Sequence, residues 1–266
     1  MICCLQGGMG NQMFQYAMAK AASLRLNADL RLNLKRFEND RMRQYTLGLW
    51  KIVTNGICND EPNRIVEDGL PYNESLLKRI HADSSLIGYW QTERYFKDIK
   101  HILKEEFTPR QNLTSGGFAT EKMILDSGNR SVFLTVRRTD YVSSNFHGVL
   151  SMEYYNKALD IIASQVPNPI IFVFSDEPEW CKINLKFSYQ TIIAGNYDIT
   201  TGNHLGREDE ELWLMRNCKH AVMANSSYSW WGAWLNDTGI VVAPQRWFLS
   251  NEKDSSDIIP ERWIKI

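Results

Sequence analysis

Residues 1–12 read MICCLQGGMGNQ, a short apolar run that ends in a glycine turn. Apolar side chains then recur at helical spacing at Phe14, Ala17, Met18, Ala21, Ala22 and Leu26. The pattern predicts a strand over residues 2–5, a glycine turn and a helix. A strand that leads through a tight turn into a helix is typical of the start of an α/β sheet.

The rest of the chain repeats this alternation. Short apolar runs rich in β-branched and aromatic residues predict further strands at 29–34, 131–136, 170–174, 190–194, 220–224 and 240–243. Helix-length segments, such as 152–164 and 209–218, lie between several of them. We therefore predict an α/β fold with parallel sheets covered on both faces. The Gly-, Ser-, Thr- and Asn-rich segment 109–129 places a boundary near residue 130, which gives two domains, 1–130 and 131–266.

The composition is that of a globular protein, with 44% hydrophobic and 23% charged residues. The formal net charge of −1 gives no field that would recruit nucleic acid or an anionic membrane. Five cysteines without a disulfide-framework spacing predict reduced thiols. No signal peptide or membrane-spanning run is recognisable. We expect a cytoplasmic protein, and peripheral attachment at the inner face of a bacterial membrane stays open.

The glycine turn at residues 7–10 invites comparison with a dinucleotide-binding fingerprint. Met13 stands where that fingerprint has its third glycine, and Asp29 lies at the start of the second predicted strand instead of its end. Simple turn geometry is therefore an equal alternative. Gly10, Asn11 and Gln12 favour a binding role, because backbone N–H groups at a helix entrance attract anions.

Two adjacent arginines, Arg137 and Arg138, follow the predicted strand 131–136. Successive side chains of an extended chain point to opposite faces. One arginine is therefore expected to reach a ligand while the other pairs with an acid such as Asp140. The planar guanidinium suits a diphosphate. The alternative is a purely structural cluster of ion pairs.

Polar residues also follow two other predicted strands. Ser175 and Asp176 end strand 170–174, where Asp176 would either bind a ligand or cap the next helix. Residues 226–228, Ser-Ser-Tyr, open a helix after strand 220–224 and present O–H and N–H donors to a phosphate, or simply cap the helix. Asp209, Glu210 and Glu211 begin another helix, where acids interact favourably with the positive end of the helix dipole. The alternative is that one of these three acids reads a guanine edge. The tryptophans at 230, 231 and 234 are expected in the core.

Motifs for other chemistries are missing. The sequence has no His-Glu-x-x-His motif, no paired Cys-x-x-Cys motifs and no Walker-type loop. It also lacks the Asp-x-Asp pattern with which metal-dependent sugar-nucleotide transferases hold a divalent ion. We therefore predict no cofactor and no requirement for a divalent metal.

Together these stretches resemble the α-1,2-fucosyltransferases of glycosyltransferase family 11. The resemblance rests on GMGNQMFQYA at residues 8–17, GYWQ at 88–91, VRR at 136–138, FSD at 174–176, the segment 224–236, AP at 243–244 and RWF at 246–248. These pieces cover nearly the whole chain in the family's order. Any one of them is weak evidence, whereas the ordered set is specific.

The resemblance implies a GT-B-like fold of two facing Rossmann-like domains, with GDP-fucose held mainly by the second. It implies an inverting, metal-independent transfer of L-fucose to a galactoside hydroxyl, forming an α-1,2 linkage. Arg137 would grip the donor diphosphate and Asp140 is a candidate general base. Ser226, Ser227 and Tyr228 would flank the phosphates, and Glu211 would face guanine. Asn11 would lie near the transferred sugar and the acceptor, a galactose-ended glycan or a lipid-linked oligosaccharide.

The sequence departs from the family pattern at three places. Thr135 replaces a usual histidine, Thr139 a glycine, and Glu211 an aspartate. We expect the change at Thr135 to alter a contact with the nucleotide. Two other functions stay open: transfer of a different nucleotide sugar, and a sugar-nucleotide-binding module without catalysis.

Overall fold

The computed structural model describes residues 1–194, 206–236, 239–250 and 254–266. The chain forms two units, each with its own parallel sheet. The first comprises Met1–Arg110 and Glu252–Pro260, and the second comprises Gln111–Asn251 and Glu261–Ile266. All five cysteines are free thiols. No described helix is long and apolar enough to cross a bilayer.

The first unit is built on a five-stranded sheet. Its strands are β1 (Ile2–Cys4), β2 (Arg31–Asn33), β3 (Ile57–Cys58), β4 (Arg64–Val66) and β5 (Ser85–Ile87). They lie in the order β3-β2-β1-β5-β4, and every pairing between them is parallel. The helices are α1 (Met9–Leu26), α2 (Glu74–Leu77) and α3 (Lys100–Glu106).

Helix α1 is buried on most of its circumference, including the polar side chains of Gln12, Gln15 and Lys20. It ends at Asn27, whose left-handed φ of 49° closes the last turn. Inside the unit, Glu106 joins α3 to α1. Its carboxylate lies 2.7 Å from Lys20 Nζ and accepts a 2.5 Å hydrogen bond from the Tyr16 hydroxyl.

The second unit is built on a six-stranded sheet. Its elements are α4 (Ser115–Ser127), β6 (Ser131–Val136), α5 (Thr139–Val142), α6 (Met152–Ala163), β7 (Ile170–Ser175), α7 (Pro178–Asn184), β8 (Gln190–Ile193), α8 (Glu208–Asn217), β9 (His220–Val222), α9 (Ser227–Leu235), β10 (Val241–Ala243) and β11 (Ile264–Lys265). The strands lie in the order β11-β10-β9-β6-β7-β8, again with parallel pairings throughout.

The central strands β6 and β7 are buried along nearly their whole length, as expected for strands covered on both faces. Leu134 and Val173 pack with Tyr155, Leu159 and Ile162 of α6 in one core cluster. The tryptophans of α9 lie in the core, as predicted. Trp230, Trp231 and Trp234 are fully buried and their rings are in contact.

The division between the units falls at Arg110, not near residue 130 as predicted. The segment expected to be a linker contains α4, which packs against α8 of the second unit. Thr114 caps α4 by accepting a 3.0 Å hydrogen bond from the Gly117 N–H. The same Thr114 donates to the buried carboxylate of Glu210 through its backbone N–H (2.6 Å) and its hydroxyl (2.8 Å). These contacts fasten α4 to the second unit.

Candidate active site

Arg137 lies just beyond the carboxyl end of β6, the edge at which open α/β sheets bind ligands. Its Nη2 is 2.6 Å from Asp140 Oδ1, and its Nη1 is 3.0 Å from Asp176 Oδ2. The ring of Tyr141 lies 5.4 Å from the guanidinium carbon. The side chain still keeps 30% of its surface exposed. A guanidinium carries five N–H donors, so donors remain for a ligand.

Asp176 follows β7, the neighbour of β6, and its carboxylate orients Arg137 by pairing with the guanidinium. Its Oδ1 accepts a 3.0 Å hydrogen bond from the Arg138 backbone N–H, and its Oδ2 accepts a 2.5 Å bond from the Thr139 hydroxyl. Asp176 does not cap α7, which begins at Pro178 after Glu177. The next residue back, Ser175, accepts a 3.0 Å hydrogen bond from the Glu177 N–H. The polar pair therefore shapes the loop that holds Arg137.

The expectation that Asp140 pairs with Arg138 is wrong, because Arg137 takes that acid. Arg138 points to the other side of the strand, where its Nε is 3.0 Å from Glu177 Oε2. Its guanidinium carbon lies 4.0 Å from the ring centre of Trp180. Arg138 is thus the structural member of the arginine pair, as one of the two was expected to be.

Thr135 is buried, with 4% of its surface exposed. Its hydroxyl accepts a 2.8 Å hydrogen bond from the Ala224 backbone N–H, beyond the end of β9. The threonine joins the ends of β6 and β9 and so places the segment that leads into α9. The expectation that the change at Thr135 alters a contact with the nucleotide stays a prediction.

Helix α9 follows β9, and Arg137 follows β6. Because these two strands are neighbours in the sheet, the start of α9 lies beside the strand end that carries Arg137. Ser226 is its N-cap and accepts a 3.3 Å hydrogen bond from the Tyr228 N–H. Ser227 is the first helical residue and is half-buried. The Tyr228 hydroxyl donates a 2.6 Å hydrogen bond to the Glu208 carbonyl of α8. Ser226 and Tyr228 therefore fix the start of the helix, and Ser227 is its first residue. Binding of the phosphates at this helix start stays a prediction.

The first turn of α8 holds four acids in a row, residues 208–211. Asp209 forms a bidentate pair with Arg207 at 3.0 and 3.1 Å, and Glu210 binds Thr114 as described above. Glu211 is also buried and lies near Tyr228. Burial, followed by the charge of Glu211, raises the pKa of the Tyr228 phenol well above its usual range. The guanine-reading role of Glu211 stays a prediction.

In the first unit, Gly10 and Asn11 lie in the first turn of α1, after β1. The Asn11 Oδ1 accepts a 2.8 Å hydrogen bond from Gln91 Nε2. Gln12 is fully buried and binds the backbone of Gly7, Gln44 and Thr46 at 2.8 to 2.9 Å. Gln12 therefore has a structural role, whereas the half-buried Asn11 keeps part of its surface open.

Sequence reasoning missed several partners of the predicted residues. Arg138 contacts Glu177 and Trp180, which lie one and four residues after the predicted Ser-Asp pair. Because β6 and β7 end side by side, these contacts could have been inferred from the sequence. Arg207 was not singled out from the sequence, and Glu210 was recognised only as one of the acids at a helix start. Their contacts with Asn112 and Thr114 form only once α4 packs against α8. Among the described residues, no three or more His, Cys, Asp or Glu side chains gather in a group that could hold a metal ion.

Comparison with solved structures gives the class of the fold. The NodZ α-1,6-fucosyltransferase soaked with GDP-fucose matches with a TM-score of 0.52 and 12% identity, over 88% of this chain and 91% of that one. A mutant of Arabidopsis thaliana FUT1 in complex with GDP matches with a TM-score of 0.53 and 11% identity, over 97% and 74%. The predicted α/β, GT-B-like class of glycosyltransferase fold is confirmed.

Sequence comparison then gives the family. The profile described as Glycosyl transferase family 11 matches residues 79–266, and the chain belongs to this family. It is 34% identical to an Escherichia coli α-1,2-colitosyltransferase, over 98% of this chain and 97% of that protein. It is 29% identical to the Escherichia coli O-antigen biosynthesis glycosyltransferase WbnK, over 100% of both chains. With mouse galactoside α-(1,2)-fucosyltransferase 2 it shares 25% identity, over 98% and 76%.

Proposed function

We propose that this glycosyltransferase moves L-fucose from GDP-fucose to a hydroxyl of a galactose-ended glycan or lipid-linked oligosaccharide, forming an α-1,2 linkage. The α-1,2 linkage is supported by two relatives, the Escherichia coli α-1,2-colitosyltransferase and the mouse galactoside α-(1,2)-fucosyltransferase 2. The observation that carries the proposal is Arg137, fixed by Asp140 and Asp176 at a strand end with its guanidinium partly exposed.

Transfer with inversion requires the acceptor oxygen to attack the anomeric carbon while the bond to the diphosphate breaks. Negative charge then grows on the leaving diphosphate. A guanidinium that is already held in place stabilises this charge without having to reorganise, an effect worth roughly 3–4 kcal/mol for one such donor. The partners of Arg137 are therefore part of its function, because they fix the plane of the fork.

The contact of Asp140 with Arg137 bears on whether Asp140 is the general base. Its Oδ1 lies 2.6 Å from Arg137 Nη2. This contact occupies one of the two carboxylate oxygens that would have to receive the proton of the acceptor. We assign Asp140 the role of positioning Arg137. It also competes with the diphosphate for the same guanidinium.

The remaining donor contacts follow from the predicted site. Ser226, Ser227 and Tyr228 would meet the phosphates through the start of α9, and Ser175 and Asp176 would shape the adjoining loop. Glu211 would accept hydrogen bonds from the N–H edge of guanine. Gly10 and Asn11 would act on the side of the transferred sugar and the acceptor. The donor is a substrate, and we propose that no cofactor or divalent metal takes part.

A second donor is favoured by one specific observation, the 34% identity with an α-1,2-colitosyltransferase. Colitose is L-fucose without its 3-hydroxyl. The two donors would therefore share every contact to the nucleotide and diphosphate, and differ only at that hydroxyl. The comparison of the two sugars tests the donor separately from the nucleotide.

The test is a matrix of donors and acceptors. The protein is incubated with GDP-fucose, GDP-colitose, GDP-mannose and UDP-galactose, each with a panel of galactose-ended and galactose-free glycans. Products are identified by mass and their linkage by nuclear magnetic resonance. We expect an α-1,2-fucosylated galactoside. Transfer of colitose alone would replace the donor, transfer from UDP-galactose would overturn the GDP assignment, and GDP binding without any product would indicate a binding module.

A further inference from the structure

Three neighbouring strands of the second unit, β6, β9 and β10, end at the same edge of the sheet, and the buried side chain of Asn225 joins the segments that follow them. Asn225 itself follows β9. Its amide donates hydrogen bonds to the backbone carbonyls of His147 (2.8 Å) and Trp247 (3.1 Å), with a longer contact to that of Gly148 (3.4 Å). His147 and Gly148 lie in the loop after β6 and α5, and Trp247 lies in the loop after β10.

These two loops also contact each other directly. The Leu249 N–H donates a 2.9 Å hydrogen bond to the Phe146 carbonyl. Gly148 has a left-handed φ of 73°, and a Cβ there would lie 2.5 Å from Leu249 Cδ2, so the contact favours glycine at this position. The two loops thus form one packed surface, and Asn225 connects that surface to the end of β9.

Tyr141 contacts both this packed surface and Arg137. Its hydroxyl donates a 3.1 Å hydrogen bond to the Asn225 carbonyl. Its ring is stacked on the His147 imidazole, with 4.4 Å between the ring centres and 6° between the planes. The Arg137 guanidinium carbon lies 5.4 Å from the centre of the Tyr141 ring, a distance at which a cation is attracted to an aromatic face. Asn225 therefore holds Tyr141 twice, through its own carbonyl and through the loop that its amide binds.

We propose that Asn225 is a positioning residue for the transfer, a role that rests on the function proposed above. It acts through Tyr141, whose ring it keeps against the guanidinium of Arg137. Asp140 and Asp176 hold that guanidinium by ion pairs, and Tyr141 adds a contact from an aromatic ring. The donors of Arg137 stabilise a leaving diphosphate only where they point at the growing charge, and a displacement of about 1 Å can cost on the order of a hundredfold in rate.

The alternative is that Asn225 only stabilises the fold, because a buried amide that satisfies backbone carbonyls does so wherever it lies. The two roles differ in their dependence on Arg137. If Asn225 is purely structural, its effect on kcat is independent of Arg137, and the effects of the two mutations multiply. If Asn225 positions Arg137, its effect on kcat is lost once the guanidinium has been replaced.

The experiment is a double-mutant cycle of Asn225→Ala and Arg137→Lys. The kcat for fucose transfer is measured at saturating donor and at a temperature at which every variant is folded. Asn225→Ala should lower kcat roughly tenfold or more when Arg137 is present. In the Arg137→Lys background it should change kcat by less than about threefold, because lysine has no planar fork to place. Equal fold-changes in both backgrounds, or a wild-type kcat in Asn225→Ala, would overturn the proposed role.

The matched control is Asn236→Ala, at the other end of α9. The Asn236 amide also donates to a backbone carbonyl, that of Cys218, which precedes β9 and so lies at the opposite edge of the sheet from Arg137. Asn236→Ala should lower the melting temperature and keep the wild-type kcat. A loss of kcat equal to that of Asn225→Ala would show that destabilisation alone explains both variants.

Tyr141→Leu tests the same connection from its other end, and it keeps the inference testable if Asn225→Ala does not fold. This change removes the ring between the loop and Arg137 and leaves the carbonyl partners of the Asn225 amide in place. It should also lower kcat roughly tenfold, and only when Arg137 is present. A folded Tyr141→Leu enzyme with the wild-type kcat would contradict the inference. Absence of fucose transfer by the wild type would overturn the proposed function instead, so the two failures are distinguishable.

Discussion

Arg137 and Arg138 are adjacent, yet they have different partners, and this difference makes them a matched pair for mutation. Arg137→Lys keeps the charge but removes the planar fork that spans Asp140 and Asp176. Because the lost bonds matter most when charge builds on the diphosphate, we expect kcat to fall roughly a hundredfold, with a smaller effect on donor binding. Steady-state kinetics with varied donor measure both quantities.

The control is Arg138→Lys. This change removes the guanidinium that pairs with Glu177 and stacks on Trp180. It should therefore lower the melting temperature, while kcat stays close to that of the wild type. A folded Arg137→Lys enzyme with near-wild-type turnover would remove Arg137 from the mechanism.

Thr135 yields a prediction about stability. Thr135→Val keeps the shape of the side chain but leaves the Ala224 N–H without its acceptor inside the protein. A buried unsatisfied donor costs about 1–3 kcal/mol, so the free energy of unfolding in urea should fall by that amount. Thr135→Ser retains the hydroxyl and should lose less. If GDP affinity falls in Thr135→Val with no loss of stability, Thr135 would contribute to nucleotide binding instead of to the fold.

Among the elements, the contact between α4 and α8 depends on one of two neighbouring glycines. A Cβ at Gly117 would lie 2.5 Å from the Glu210 carboxylate, whereas a Cβ at Gly116 would meet only Thr114 Oγ1 at 3.9 Å. Gly116→Ala should therefore stabilise the protein by about 0.5–1 kcal/mol, as alanine does inside helices. Gly117→Ala should destabilise it by about 1–3 kcal/mol. Thermal unfolding of the two variants tests this prediction. Equal shifts of their melting temperatures would contradict the packing described.

The longer elements could be predicted from sequence. The spacing and β-branched runs predicted β6, β7 and α6 to within one residue, because these segments are long or fully apolar. Strands β3, β4 and β5 span two or three residues each, too few to show a period, and they are held by pairing with distant strands. The partners of Arg137 were misassigned because the sequence does not show which face of a strand end a side chain takes.

For the whole molecule, the prediction concerns how the charge of the donor is neutralised. The sequence has no Asp-x-Asp motif, and we assign the diphosphate to Arg137 and the start of α9. Transfer should therefore persist in excess EDTA with little loss and gain little from added manganese. Both are read from initial rates after dialysis against the chelator. Loss of all activity in EDTA, restored by a divalent ion, would show that a metal carries this charge.

The chain passes between its two units three times, which affects how a unit can be exchanged between related proteins. Glu252–Pro260 belongs to the first unit, while Glu261–Ile266 returns to the second, where β11 pairs with β10. Swapping one unit for that of a relative therefore needs three junctions in the gene, near residues 110, 251 and 260. A chimera made by a single crossover at residue 110 would combine Asp257 of one parent with Tyr72 and Arg94 of the other. Recombination at that point is therefore expected to disturb these contacts wherever the parents differ at the three positions.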